Sequence, residues 1–96
     1  MAGRIIEKEM GITHHEFFRL INVALGTDDY DRTSSGVKWS RDDRAGEIKL
    51  GPEGKRQIAL LAVPRTPVRI ELDGYDDDAA AEMLHLFDRA FQRGGG

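Results

Sequence analysis

Histidine and clustered carboxylates are the residue types here most able to hold a metal ion or move a proton, so His14, His15 and His85 are taken first. His14 and His15 are neighbours in a helical pattern, where adjacent side chains diverge by about 100° and do not converge on one ion. His85 falls on the polar flank of a second helical pattern, beside Asp88 and Arg89. The chemistry this set would support is a metal-dependent enzyme using His14 or His15 with a carboxylate brought in from another element. The spacing favours instead one histidine at a helix end and two on the surface. Asp31, Thr33, Ser35, Gly36 and Asp42 stand at relative positions 1, 3, 5, 6 and 12, the rhythm of a calcium loop. Thr and Ser replace the usual Asp or Asn there, Asp replaces the bidentate Glu, and a strand pattern follows in place of a helix, so a solvated loop is expected. Asp76, Asp77 and Asp78 precede a helical pattern, where carboxylates cap backbone amides, and that role accounts for them without a magnesium ion. No metal or cofactor is assigned.

Other chemistry finds no foothold. The chain has no cysteine, which removes disulfides, thiolate metal sites and cysteine nucleophiles together. Serine elbows, phosphate-binding glycine loops, dinucleotide fingerprints and zinc-protease helices are absent from the sequence. No carboxylate sits in an apolar surround that would raise its pKa, so no general acid or base is assigned and the chain is not read as an enzyme.

The C-terminal residues Gln92-Arg93-Gly94-Gly95-Gly96 are similar to the Arg-Gly-Gly tails of ubiquitin-like proteins and the Gly-Gly tails of bacterial sulfur carriers. That resemblance implies a flexible glycine tail over 94–96 whose end, Gly96, is activated by adenylation, making the chain a carrier protein. It covers only the tail. Those families run strand, strand, helix with the tail leaving a strand, whereas here the tail follows a helical pattern, which a helix stop also explains.

The elements that must position these residues are more legible. Thr13 and Glu16 form a capping-box pair, and Ile12 with Phe17 has the spacing of a hydrophobic staple, so a helix is expected from His14. Phe17, Phe18, Leu20, Ile21, Ala24 and Leu25 make its apolar stripe, and Gly26 is its stop. Residues 27–35 form an acidic, aperiodic stretch expected to be a flexible loop. Val37-Lys38-Trp39-Ser40 alternates as an added edge strand would. From Glu47 to Tyr75 alternation predicts a three-strand meander with turns at Gly51-Pro52-Glu53-Gly54 and Pro64-Arg65-Thr66-Pro67. One parity, Ile48, Leu50, Ile58, Leu60, Ala62, Val68, Ile70 and Leu72, joined by Val37 and Trp39, is the expected core face. A second helix carries Ala80, Met83, Leu84, Phe87 and Phe91 on one side. Residues 1–11 are expected to be an arm or an edge strand.

The expectation is an α+β domain, one unit over 1–96, ordered α-β-β-β(-β)-α, with an antiparallel meander and both helices on one sheet face. A chain of 96 residues buries about 60–65% of its unfolded surface, enough for one modest core. The formal charge is −3, from 14 basic and 17 acidic residues, which disfavours nucleic acid and anionic membranes as general partners. No segment approaches the roughly 18 apolar residues of a membrane span, and the expected compartment is the cytoplasm.

On the outward sheet parity, Ala59, Leu61 and Val63 make an apolar stripe on the middle strand, with Lys49 and Arg69 on its rim. Apolar surface with a charged rim suggests a contact face. The chain is therefore read as a small soluble, non-catalytic binding or assembly protein that uses this outer face for a protein partner or a second copy. Arg41, Arg44, Lys55, Arg56 and Arg65, if clustered by the turns, would receive a small anion.

Overall fold

The computed structural model describes residues 3–95, in the order β1 (Arg4–Met10), α1 (His14–Leu25), β2 (Asp31–Arg32), β3 (Gly36–Arg41), β4 (Arg44–Leu50), β5 (Gly54–Ile58), β6 (Leu61–Asp73) and α2 (Asp77–Gly95). The strands form one antiparallel six-stranded sheet in the order β1-β6-β4-β3-β2, with β5 also paired to β6. Both helices lie on one face, giving the expected α+β architecture.

The helix ends form as their residues dictate. The Thr13 hydroxyl accepts the Glu16 amide while the Glu16 carboxylate accepts the Thr13 amide at 3.0 Å. Gly26 closes α1 at φ 73°, with its amide and that of Thr27 donating back to the Val23 and Asn22 carbonyls. Glycine takes that left-handed position without steric cost. Asp76 caps α2, its carboxylate accepting the Ala79 amide at 2.8 Å. The acidic run is thus a cap, as its position suggested.

Ile48, Leu50, Val68, Ile70, Leu72 and Val37 point beneath the helices and meet Phe17, Ile21, Ala24, Ala80, Phe87 and Phe91 in one core. Residues 4–10 are an edge strand along the whole of Thr66–Leu72, from Arg4↔Leu72 to Met10↔Thr66. Arg4 and Lys8, on the helix side of that strand, form ion pairs with Asp77 and Asp88 of α2. The second helix is thereby held over the β1 edge.

The meander differs from its expected form at both turns. No turn occurs over Pro64-Arg65-Thr66-Pro67: β6 runs unbroken through thirteen residues. Proline lacks an amide donor and is tolerated in a strand only where no ladder bond is lost. Pro64 lies beyond the end of β1, and Pro67 faces an interruption of the opposite strand. There, Leu50 pairs with Val68 and Gly54 with Arg65, so Gly51, Pro52 and Glu53 oppose only Thr66 and Pro67. This is a bulge, and β5 continues β4 past it along the same partner. Thr66 between the prolines is fully buried, and its hydroxyl donates to the Ile12 carbonyl at 2.7 Å, satisfying an acceptor that would otherwise be buried alone.

The true turn is at Ala59-Leu60, since Ile58 pairs with Leu61. Ala59 has φ 54°, the positive value that the first loop position of a II′ hairpin turn requires and that glycine ordinarily supplies. Residues 57–63 are therefore the end of a hairpin and not a central strand. Leu60 and Ala62, expected in the core, are exposed, Leu60 to 97%.

Candidate interaction site

The hairpin formed by β5 and the first part of β6 extends beyond the two helices. Residues 54–57, 59–62 and 65 are all exposed, on both faces of the ribbon. Among the described residues β5 pairs with β6 alone. Its tip carries two large apolar side chains, Leu60 at 97% and Leu61 at 68% exposure. Lys55 and Arg56 on its stem have no ion-pair partner among the described residues, whereas Arg65 pairs with Glu9. An arm of this shape is basic along its stem and apolar at its end.

Of the five expected contact residues, Ala59, Leu61 and Val63 belong to this arm: Ala59 at the turn, Leu61 beside it, and Val63 half-buried at the base near Gly11. Lys49 and Arg69 lie elsewhere, on the open face of the sheet. That face is charged, not apolar. Lys49 stands 3.5 Å from Glu71, and the Arg69 guanidinium donates to Glu71 at 2.9 Å and to Glu7 at 3.3 Å, a cross-strand network over β4, β6 and β1. Such exposed pairs contribute about 0.2–1 kcal/mol each. Their larger effect is to keep the face wet and an unattractive site for apolar docking. The expected stripe on the outer face is thus displaced to the arm, because the chain turns at Ala59 where a strand was expected to continue.

The basic residues separate likewise. Arg41 and Arg44 flank the β3–β4 turn at one end of the molecule, while Lys55, Arg56 and Arg65 belong to the arm at the other. They do not make one cluster.

Beside Arg41 and Arg44 is a cleft of about 490 Å³, between the C-terminal end of α1, the first turns of α2 and the β3–β4 hairpin. Trp39 reaches it because its cross-strand partner is Gly46, and a Cβ there would stand 2.2 Å from the indole. The indole amine donates to the Tyr75 hydroxyl at 3.0 Å, and the Arg44 guanidinium lies 5.1 Å from the centre of the Tyr75 ring. Leu25, Met83 and Leu86 complete the apolar lining. Leu86, which in sequence is a stray apolar residue on a polar helix flank, is 47% exposed at this wall. Asp29, Asp42, Asp43 and Glu82 add an acidic rim, of which Asp29 is 3.8 Å from Arg41. No short-range sequence signal announces this cleft, because its walls come from four separate elements.

The histidines do not converge. The His14 amide donates to the Glu53 carboxylate at 2.8 Å, and its ring Nε2 lies 2.8 Å from the Gly51 carbonyl oxygen, so this residue ties α1 to the bulge. His15 and His85 are exposed on separate helices. Asp31 and Gly36 are drawn into β2 and β3, and Asp42 sits at the far end of β3, so the calcium-like spacing does not fold into one loop. Among the described residues no group of three or more His, Cys, Asp or Glu is placed to hold a metal ion. Helix α2 continues through Gly94 and Gly95, while Gly96, on which the carrier reading turns, lies outside the described residues. No described helix is long and apolar enough to cross a membrane.

Comparison with known proteins returns no match: no family model, no curated protein and no solved structure.

Proposed function

We propose that this chain is a small binding or assembly protein without chemistry of its own, and that the projecting hairpin is its contact element. The observation that carries the reading is the tip. Two adjacent leucines held in water forgo roughly 1.5–3 kcal/mol of burial each, a standing driving force for association. The flanking Lys55 and Arg56 favour a partner surface of opposite charge, which speeds encounter and sets orientation. In this reading the basic residues of the arm meet acidic side chains of a protein, and the charged open face of the sheet remains in solvent.

Because Leu60 and Leu61 are exposed, replacing both should barely affect folding. We expect Leu60→Asp with Leu61→Asp to keep the melting temperature within about 3 °C of the parent while abolishing the proteins or second copies retained by the chain in its native host. Retention of the same set by the double variant would refute the arm as contact element.

A further inference from the structure

The arm and the cleft are chemically complementary and lie at opposite ends of the chain's long axis. From Arg44 at the cleft, β4, the bulge and β5 lead to Leu60 at the tip, about 50 Å of extended chain at roughly 3.3 Å per residue, matching a longest dimension of 47 Å. We infer, resting on the arm reading above, that the cleft receives the arm of a second copy. Two copies lie antiparallel, and each seats its Leu60-Leu61 tip against the other's Trp39, Met83 and Leu86.

Charge supports this occupant. At the cleft, Arg41 is engaged with Asp29 and Arg44 with the Tyr75 ring, while Asp42, Asp43 and Glu82 have no ion-pair partner among the described residues. The arm presents Lys55 and Arg56 in the same condition. Unpaired acids on the rim thus meet unpaired bases on the stem, which a wandering apolar contact would not require. The competing self-pairing, β5 edge to β5 edge, would crowd Lys55 and Arg56 against their own copies, and like charges opposite one another destabilise a strand pair. A reciprocal exchange is also closed. One arm in one cleft is a small contact, and the two-fold makes it twice, toward the roughly 1,200–2,000 Å² of a stable interface.

The test is sedimentation of the full chain over a concentration series, with circular dichroism to verify folding. The parent is expected to show a monomer–dimer equilibrium. Leu60→Asp on the arm and Leu86→Asp on the exposed cleft wall should each raise the dissociation constant about 30-fold or more. Lys55→Glu with Arg56→Glu should weaken the dimer, as should Asp43→Lys with Glu82→Lys, and the four together should restore it to within about threefold. All four positions are exposed, so these variants keep the test valid if Leu86→Asp unfolds. Loss of the dimer in Leu60→Asp alone, with cleft variants and charge exchange without effect, overturns the cleft assignment and leaves the arm reading standing. A parent that is monomeric at every concentration overturns the second copy as occupant. Capture of that monomer by vesicles of anionic lipid through Leu60 overturns both this inference and the protein partner.

Discussion

Phe87→Ala is expected to cost about 3–5 kcal/mol, the range for truncating a fully buried phenylalanine. Phe87 is fully buried. Its ring centre lies 4.8 Å from that of Phe91, which in turn stacks on Phe17 at 5.6 Å with the planes 8° apart, so the three rings join α2 to α1 above the sheet. Truncation removes the burial of an aromatic side chain and opens a void beneath α2, which the Arg4–Asp77 and Lys8–Asp88 pairs tie to β1, so collapse is limited. For a chain of this length each kcal/mol shifts the melting temperature by about 4–8 °C, so a fall of about 12 °C or more should be read by calorimetry. A loss under about 1 kcal/mol would contradict the packing described.

Gly36→Ala should be comparably damaging, at about 3 kcal/mol, for the opposite reason: excess volume. A Cβ on Gly36 would lie 1.8 Å from the Ile48 carbonyl oxygen, a backbone atom in the middle of the sheet that no rotamer change can move. Strand β3 must then part from β4, loosening Val37 from the core and Trp39 from the cleft. Gly54→Ala is the matched control. Its Cβ meets nothing nearer than the Arg65 carbonyl at 3.9 Å, and the change should stay within about 0.5 kcal/mol. Urea unfolding of the two variants gives the comparison directly, and equal midpoints would contradict the β3–β4 register.

The contrast between these elements shows what could be read from residues alone. The helices were legible because their signals are local: Thr13 and Glu16 bond each other, Gly26 turns left-handed, Asp76 caps, and the period of Phe17 to Leu25 marks the buried side. The core parity of Ile48, Leu50, Val68, Ile70 and Leu72 is legible for the same reason. The meander departs from its expected turns where local punctuation and tertiary context disagree. Two prolines normally break a strand, yet Pro64 and Pro67 fall where the ladder has no bond to lose. A two-residue turn normally shows glycine or asparagine, yet Ala59 takes the positive φ itself. That one substitution of turn chemistry moves Leu60 from the expected core, and Leu61 from the expected outer sheet face, to the extremity of the hairpin. The place of the apolar run in the fold depends on a register that no short-range pattern carries.

The proposal that the arm makes the contacts is tested most directly by photo-crosslinking in the native host, with a photo-reactive phenylalanine analogue at position 60. The same probe at position 38, on the exposed open face of the sheet, serves as comparison. The expected result is a discrete adduct from position 60 and none from position 38. An adduct from position 38 with none from position 60 would contradict the account.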